Sequence, residues 1–429
     1  MRVSMSYGRG RVPLEVEDRL AAGPWRLEAG ADAASDPLPR AVEELVQSGW
    51  PEACEGRVVG LLLPDGTRSW EPRRLLPPLG AALAGARSVQ AFLCTGTHDP
   101  RTPENVQLAR RVGEALAGTR EDAVEVVLPD ARRDRYASCG TTSRGTPVEL
   151  HERASEPEVL LALSDMKPHY FAGYSNPSKY VVPGLASLAT ARGNHSLALE
   201  EASTFGRHPW HPDPARRSNP LAEDLVEALS LGLTGRRLFA LTQGSAGGRV
   251  LWAAGGTAEE AAGRGMAEVD RRTGRTVDPV RFLVVSAGGA PLDESLYTAQ
   301  RALELSAAAV RDGGEVLFLA ECPNGIGPPS AREVFFEPLA RPLHEITAPA
   351  RSDYVLYAHK PVKMARYLER LGALHVHSRL PADQLARVHM CPAAEPQAVL
   401  DAWTKKADPG DRIGFLDDAS KQAVYVPMP

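Results

Sequence analysis

The chain has 429 residues, of which 43% are hydrophobic and 24% are charged. That composition is typical of a globular protein with two or three domains and excludes wholesale disorder. The 49 basic and 54 acidic residues give a net charge of -5, which disfavours a protein that grips a nucleic-acid backbone. The five cysteines form no C-x-x-C pair, so neither a disulfide framework nor a structural zinc site is indicated.

The N-terminal segment and the aliphatic runs are the sequence features that predict the cellular localisation. Residues 1–13 contain three arginines but no apolar core of a secretory signal. The longest aliphatic stretch, Val58–Leu63, is far shorter than the roughly 20 residues that cross a bilayer. We therefore expect a cytoplasmic protein that has no membrane partner.

In the first half, short aliphatic runs alternate with helical patterns, which is typical of a parallel α/β fold. The expected strands are 58–63, 89–94, 123–128, 159–163, 237–241 and 249–254, and the expected helices are 103–117, 221–229 and 258–270. The polar segment 271–281, which holds Gly274 and Pro279, predicts a domain boundary.

The second half predicts a smaller α/β domain. Its expected strands are 282–285, 315–320 and 373–377, and its expected helices are 294–311 and 361–371. We predict two Rossmann-like α/β domains with mostly parallel sheets and an active site in the cleft between them. The predicted division is a catalytic and cofactor-binding domain at 1–272, a smaller domain at 273–395, and a C-terminal helix and strand at 396–429 that pack back across the domains.

Two polar loops follow predicted strands, at the positions where open α/β sheets build ligand sites. Asp65-Gly66-Thr67-Arg68 offers a carboxylate and a guanidinium, although Asp-Gly is also a common surface turn. Thr95-Gly96-Thr97-His98 places a histidine where it would act as a general acid or base, or else as an ordinary loop residue. Neither loop alone identifies a function.

A third loop, residues 168–179, is dense in aromatic, glycine and hydrogen-bonding residues. Aromatic side chains on a connecting loop indicate a pocket, because their exposure to water is unfavourable. Lys179 ends this loop and, taken alone, would be a solvated surface lysine. Glycine-flanked turns at 183–187 and 193–196 would present backbone N–H groups to a phosphate, although they do not match G-x-x-x-x-G-K-[ST].

His169, Lys179 and His195 are separated by 10 and 16 residues, so they share no helical face and would meet only through a folded loop. No His-x-x-x-His pair accompanies them, and one imidazole is a poor ligand set for zinc or nickel. A metal bound here would need donors from outside the chain. That gap points to a cofactor that brings its own donors.

Together these motifs resemble the nickel-pincer lactate racemases. The matching residues, in the family's order and spacing, are D-G-T-R at 65–68, G-T-H at 96–98, P-H-Y-F-A-G-Y-S at 168–175, Lys179, P-G at 183–184 and N-H-S at 194–196. The resemblance implies a nickel-pincer nucleotide, pyridinium-3,5-bisthiocarboxylic acid mononucleotide, which holds nickel through two sulfurs and a ring carbon. It also implies that Lys179 carries this cofactor covalently and that His195 is the single protein ligand of nickel.

The remaining site residues follow from the same resemblance. His98 and His169 are similar to a pair of bases that serve one enantiomer each, and Arg68 is similar to the clamp on the substrate carboxylate. Tyr297 and Arg301 resemble substrate contacts from the second domain. The further cofactor contacts implied by the matched motifs are Asp65, Thr97, Gly184 and Ser187.

The implied reaction is racemisation or epimerisation at C2 of a small 2-hydroxy acid. Removing a proton from C2 beside a carboxylate is slow, whereas moving a hydride to the cofactor while a base takes the hydroxyl proton gives a planar 2-keto acid. Returning the hydride to the other face inverts the centre. Thr298 and Arg301 stand where the lactate enzymes typically have glutamine and lysine, so we expect a substrate larger or more polar than lactate, such as a sugar acid or a hydroxy diacid. The enzymes that make the cofactor are the expected protein partners.

Two alternatives remain open from the residues. An NAD-dependent 2-hydroxy acid dehydrogenase suits two α/β domains and the turn at Gly288-Gly289, although no G-x-G-x-x-G opens a helix after a strand. A homologue that binds a hydroxy acid without turning it over is the second alternative. His208 and His211, in a Pro/Arg-rich stretch, are interpreted as ordinary loop residues.

Overall fold

The structure, a computed structural model, describes residues 1–27, 36–68, 70–117, 124–246, 249–349 and 351–427. The chain folds into two compact units. The large unit is Gly30–Val269, and the small unit combines Met1–Ala29 with Asp270–Pro429.

This grouping differs from the predicted division at both ends of the chain. The strand Ala21–Trp25 pairs in parallel with Ile413–Leu416, which joins the N-terminal residues to the sheet of the second half. Near the C-terminus, Ala423–Tyr425 pairs with Gly274–Thr276. The described residues near the two ends of the chain, 1–27 and 396–427, therefore both belong to the small unit, because their strands pair there.

The centre of the large unit is a six-stranded sheet that is parallel except for one edge strand. Its strands, in spatial order, are Arg249–Thr257, Arg237–Ala246, Val159–Asp165, Val58–Leu63, Ser88–Leu93 and Glu125–Val127. Successive residues of a strand point to opposite faces, so Leu61 and Leu62 enter two separate hydrophobic cores. Burial on both faces explains why these strands are continuous aliphatic runs in the sequence.

Helices of the large unit pack against its central sheet and contribute side chains to the two hydrophobic cores. The helices of the large unit are Leu38–Gln47, Trp50–Cys54, Pro72–Leu75, Pro103–Ala117, Ser178–Val181, Leu188–Ser196, Pro220–Gly232 and Ala258–Thr273, the last of which runs past the boundary of the unit. Two hairpins add the strand pairs Tyr136–Thr141 with Pro147–His151 and Pro168–His169 with Gly173–Tyr174. Within the described ranges, no helix combines the length and the apolar character that crossing a bilayer requires.

The small unit has its own six-stranded sheet, which is parallel throughout. Its strands, in spatial order, are Cys391–Pro392, Ala373–His377, Val310–Leu319, Val280–Ser286, Ile413–Leu416 and Ala21–Trp25. A hairpin of Arg2–Tyr7 and Gly10–Glu15 contributes Val3, Met5 and Leu14 to its core. The predicted α/β fold with mostly parallel sheets is confirmed.

The helices of the small unit are short. They are Leu296–Ala299, Arg301–Ser306, Pro329–Ala331, Glu337–Leu339, Leu343–Ile346, His359–Arg370, Ala382–Arg387 and Pro396–Lys406, with a π-helical turn at Arg332–Phe336. The predicted single helix over 294–311 is therefore wrong. The second of its two pieces ends at Ser306, whose hydroxyl donates back to the carbonyl of Ala302, and the chain then enters a strand at Val310 because that residue pairs with Val280.

Candidate active site

Three loops of the large unit meet at the carboxyl edge of its sheet. They follow the neighbouring strands Val159–Asp165, Val58–Leu63 and Ser88–Leu93, which run parallel and end at the same edge. The N–H of Gly96 donates to the carbonyl of Gly184 at 3.3 Å, which ties the last of these loops to the turn after Lys179. The sheet topology thus gathers polar segments that are far apart in the sequence.

A buried carboxylate holds His98. Nδ1 of His98 lies 2.6 Å from Oδ2 of Asp65, whose side chain is only 3% exposed. The hydroxyl of Thr67 donates to the other carboxylate oxygen, also at 2.6 Å. Burial alone would raise the pKa of Asp65, but the hydrogen bonds from His98 and Thr67 outweigh it and hold that pKa below its usual value. An ionised Asp65 therefore fixes the exposed imidazole and leaves its Nε2 for proton transfer.

Lys179 lies directly against His169. Its Nζ is 2.8 Å from Nε2 of the ring, and the ring of Phe171 packs edge-on against His169 at a centroid distance of 4.5 Å. His169 belongs to a tight hairpin in which it pairs with Gly173, where φ is 77°. A Cβ at Gly173 would lie 1.9 Å from the carbonyl oxygen of Arg207, so only glycine fits. The hairpin therefore sets the position of the imidazole beside the amine.

Burial and neighbouring cations make Lys179 a nucleophile near neutral pH. Its pKa falls to about 7, mainly because burial removes water from the ammonium group and also because the charges of Arg68 and Lys167 oppose it. Lys167 is itself paired with Asp165 at 3.3 Å. A neutral amine forms covalent bonds to carbonyl-type carbons and an ammonium does not, so this lysine suits covalent attachment.

Arg68 borders a narrow cavity at the same edge. Ser164 and Gln243 also line this cavity, whose volume of about 10 Å³ is close to that of one water probe. In the described part of the chain, the Oγ of Ser164 and the Oε1 of Gln243 are buried and lack a hydrogen-bond partner. Buried polar atoms are normally satisfied, so this pair marks a place where a bound polar group would be stabilised.

His195 lies in the helix Leu188–Ser196 and faces the same aromatic ring. Its ring centroid is 5.4 Å from that of Phe171. Its pKa falls to about 3, mainly because the ring is buried and also because the charge of Lys179 opposes protonation. A neutral imidazole is the form that binds metals. The adjacent Asn194 donates to the buried Asp224 at 2.9 Å and thereby anchors this helix.

The other predicted cofactor contacts surround the turn that leads into this helix. Ser187 caps the helix, because its hydroxyl accepts from the N–H of Thr190 and donates to Glu149 at 2.6 Å. Gly184 has no room for a side chain, since a Cβ would lie 2.2 Å from the carbonyl oxygen of Tyr180. The carbonyl of Thr97 accepts from the Arg132 guanidinium at 3.1 Å. The hydroxyl of Ser187 therefore caps the start of this helix.

His208 and His211 lie in an irregular loop segment, as predicted, and both are also buried, at 0% and 3% exposed. Burial, followed by the charges of His211 and Lys179, lowers the pKa of His208 to about 3. The ring of His211 stacks on Tyr174. Sequence analysis also missed Phe171 as a shared contact, although the aromatic density of residues 168–174 was an available signal.

The two predicted residues of the second half lie in the small unit. Tyr297 is on the helix Leu296–Ala299, and Arg301 begins the next helix. The ring of Tyr297 packs edge-on against Phe335 and carries the ammonium group of Lys360 3.4 Å from its centroid. Nothing in the sequence singled out Lys360. An active site between the two domains stays a prediction.

The donor set of the large unit fits a group that brings its own metal ligands. Across the ranges that the structure covers, no three His, Cys, Asp or Glu side chains cluster to hold a metal ion. The edge instead offers one neutral imidazole at His195, one amine of lowered pKa at Lys179, and the unsatisfied oxygens of Ser164 and Gln243. These residues suit a covalently tethered, polar cofactor better than a metal ion bound by protein side chains alone.

Comparison with known proteins identifies relatives of the chain. A family model described as the lactate racemase N-terminal domain matches residues 7–206, which include every predicted site residue of the large unit. The lactate racemase of Thermoanaerobacterium thermosaccharolyticum is 25% identical over 334 residues, which are 76% of this chain and 75% of that protein. The lactate racemase of Lactiplantibacillus plantarum is 25% identical over 254 residues, which are 59% of this chain and 56% of that protein.

Solved structures share the fold. The lactate racemase apoprotein from Thermoanaerobacterium thermosaccharolyticum matches with a TM-score of 0.83 at 21% identity, covering 100% of both chains. A protein from Thermotoga maritima matches with a TM-score of 0.60 at 15% identity, covering 92% of this chain and 99% of that chain. The two named relatives are racemases, which are isomerases, so the predicted enzyme class is confirmed at the level of the family. The chain is therefore similar in sequence to lactate racemases and shares the fold of a lactate racemase apoprotein.

Proposed function

We propose that this chain is a racemase or epimerase that inverts C2 of a 2-hydroxy acid with a nickel-pincer nucleotide tethered to Lys179. The observation that carries the proposal is the placement of a nucleophilic amine 2.8 Å from the imidazole of His169, with Phe171 packed against both His169 and His195. The sequence relatives named above support the same class of reaction.

Lys179 would hold the cofactor covalently, and the neutral imidazole of His195 would ligate its nickel. When bound, the group supplies a site that accepts a hydride from C2 and returns it. Acylation of the Lys179 amine removes its charge and its basic lone pair. Acylation would thereby remove the 2.8 Å contact between Lys179 and Nε2 of His169, and we propose that this nitrogen then hydrogen-bonds to a substrate hydroxyl.

The chain's own residues move the proton and bind the carboxylate. His98, oriented by Asp65, and His169 take up and return the hydroxyl proton, one for each enantiomer. Two bases are needed because the hydroxyl groups of the two enantiomers point in different directions when C2 and the carboxylate are held in place. The planar guanidinium of Arg68 suits bidentate binding of the carboxylate.

We also propose that the substrate is larger or more polar than lactate, such as a sugar acid or a hydroxy diacid. Arg301 provides a fixed cation with a longer reach than lysine, and Thr298 leaves more space than glutamine. The hydroxyl of Thr298 lies 3.1 Å from that of Ser295, so it is held at the start of the helix.

The experiment uses full-length protein co-expressed with cofactor-making enzymes. Intact mass and metal analysis should show an adduct on Lys179 and one nickel per chain. C2-deuterated malate should then racemise, or C2-deuterated gluconate form its C2 epimer, faster than lactate racemises, and the product should keep the deuterium, because a hydride that shuttles within the site does not exchange with water. Washout of deuterium at the rate of inversion would contradict hydride transfer. Tight binding of free NAD by adduct-free protein would favour the dehydrogenase instead.

A further inference from the structure

Lys360 is a half-buried residue whose ammonium group forms no ion pair with an acidic side chain in the described part of the chain. It is the second residue of the helix His359–Arg370, and its ammonium group donates to the carbonyl of Tyr297 at 3.2 Å and lies 3.4 Å from the centroid of the Tyr297 ring. A carbonyl and a ring face satisfy only part of the hydrogen-bonding capacity of an ammonium group.

Three features make this position unfavourable for a positive charge. Burial removes water from the ammonium group, and the nearby charge of Arg301 opposes it; together they lower the pKa of Lys360 to about 7. Lys360 also lies in the first turn of its helix, where the helix dipole favours anions over cations. A positive charge at this position is unfavourable for the fold unless a negative charge lies beside it. The arrangement therefore suits a ligand that carries a negative charge.

The acidic side chain of the neighbouring helix does not supply that charge. Glu304 lies one turn after Arg301, and burial raises the pKa of its carboxyl group, which favours the neutral form. The cations whose charges act on Glu304 are Lys363 and Arg366. The charge of Lys360 is therefore left to be balanced by something other than Glu304.

The backbone before the helix holds Lys360 in place. Tyr357 has a φ of 75°, an unusual conformation for a tyrosine, and its carbonyl accepts from the N–H of Lys360 at 3.0 Å. The hydroxyl of Tyr354 both accepts from the N–H of Tyr357 and lies 2.7 Å from Nδ1 of His359. Strained residues supported by such networks are typical of binding sites.

We propose that Lys360 and Arg301 form a carboxylate-binding site beside the ring of Tyr297, and that Lys360 is a specificity-determining residue of this enzyme. The identification of the carboxylate as part of a 2-hydroxy acid rests on the proposed function. The site itself rests on the geometry of the small unit. A carboxylate between these residues would accept hydrogen bonds from the ammonium and the guanidinium and neutralise both charges.

The test measures binding of lactate and malate to the full-length chain without cofactor, by calorimetry. Lys360→Met should weaken binding of malate by about 10- to 100-fold, because a desolvated charge contact is lost. Lys360→Arg, which keeps the charge, should retain most of the affinity, whereas the urea unfolding of Lys360→Met shows whether that variant is folded. Lys363→Met, on the same helix, is the matched control and should bind as the wild type does.

The two acids identify which carboxylate is bound. If Lys360 binds the C1 carboxylate, Lys360→Met weakens lactate and malate equally; if it binds the second carboxylate, only malate is weakened. Equal affinities of Lys360→Met and the wild type would overturn the proposal, as would wild-type protein that binds neither acid. These measurements need no nickel and no adduct on Lys179. If the chain did not racemise any hydroxy acid, Lys360-dependent binding could still be observed. If Lys360 had no effect on binding, racemisation by the cofactor-loaded enzyme could still be observed.

Competitive acetylation followed by mass spectrometry gives a second readout. Malate should slow the acetylation of Lys360 and leave that of Lys363 unchanged, because a bound carboxylate keeps the amine protonated and covered. No protection of Lys360 at a malate concentration that saturates the calorimetric signal would contradict the assignment.

Discussion

Lys179 of the large unit and Lys360 of the small unit are both half-buried lysines whose pKa falls to about 7. In each case burial is the main cause and a nearby arginine adds to it. Their partners differ. Lys179 meets the ring nitrogen of His169, whereas Lys360 lies over the face of the Tyr297 ring.

This difference shows how lysine can be used either to form a covalent bond or to bind an anion. A ring nitrogen can exchange a proton with an amine, so Lys179 is prepared to lose its proton and form a bond. A ring face attracts only the cation, so Lys360 is prepared to keep its proton when an anion arrives. Desolvation lowers the pKa of both lysines, and the neighbouring group decides which protonation state is used.

Substitution of Lys179 should have the largest effect. Lys179→Arg and Lys179→Met should both abolish the cofactor adduct and lower racemisation by about 10⁴-fold or more, the scale of losing a covalent catalytic group. The arginine variant keeps the positive charge but cannot be acylated, so its failure separates nucleophilicity from charge. Intact mass and loss of optical purity are the measurements. An active Lys179→Arg enzyme would remove the distinction between the two lysines.

Substitution of either base should have the next largest effect. His98→Gln and His169→Gln should each keep the Lys179 adduct and lower kcat/KM for racemisation by about 10²- to 10⁴-fold, because proton transfer to one enantiomer is lost. The loss must be equal from both enantiomers, since the equilibrium constant of a racemisation is one. Optical-purity assays started from each enantiomer measure it. Full activity in either variant would exclude that histidine as a base.

The fold of this chain was predictable where burial dictates the pattern. Val58–Leu63 and Ala373–His377 match their predicted bounds. The first is a continuous apolar run buried on both faces, and the second alternates buried Leu374 and Val376 with partly exposed residues. Ala21–Trp25 was missed because it contains Gly23 and Pro24, has no apolar alternation, and is a strand only by pairing with residues nearly 400 positions away.

The candidate site was predictable in its residues and not in its contacts. The loops around Asp65, His98 and Lys179 follow strands, so their convergence at one edge could be inferred, but the 2.6 Å contact between Asp65 and His98 depends on side-chain geometry. Lys360 could not be found at all. A lysine at a helix start has no periodic or motif signal, and only the packing of Tyr297 beneath it shows its environment.

Substitution of Asp65 tests the large unit without touching either lysine. Asp65→Asn should lower kcat/KM by about 10- to 100-fold, as expected when the residue that orients a catalytic histidine is lost. It should also lower the free energy of unfolding by about 1–3 kcal/mol at pH 7, because the buried hydrogen bonds to an ionised carboxylate are weakened. Urea unfolding and steady-state kinetics measure the two effects.

The pH dependence of the Asp65 effect has a definite sign. The pKa of Asp65 is lower in the folded chain than in the unfolded one, so its stabilisation is present above the unfolded pKa of about 3.9 and is lost as pH falls through the folded value. The stability difference between Asp65→Asn and wild type should therefore shrink at acidic pH. Asp99→Asn, at an exposed position beside His98, is the control and should change stability by less than about 0.5 kcal/mol.

The smallest expected effect is a gain of stability, which we expect from Lys360→Met in the small unit, whereas Asp65→Asn should lose stability. Lys360→Met removes a desolvated charge that no carboxylate of the described residues pairs with, so it should raise the free energy of unfolding of cofactor-free protein by about 1–3 kcal/mol at pH 6. The pKa of Lys360 is about 7 in the folded chain and about 10.4 when unfolded, so the unfolded chain binds more protons between those values and the wild type gains stability as pH rises through that window. The advantage of Lys360→Met should accordingly be greatest below pH 7 and shrink towards pH 10, whereas Lys363→Met should show no such trend. The midpoints of urea unfolding at pH 6 and pH 9 measure this effect. If Lys360→Met were less stable than the wild type at both pH values, the ammonium group of Lys360 would support the fold. Lys360 would then be a structural residue, in contrast to the proposed chemical role of Lys179.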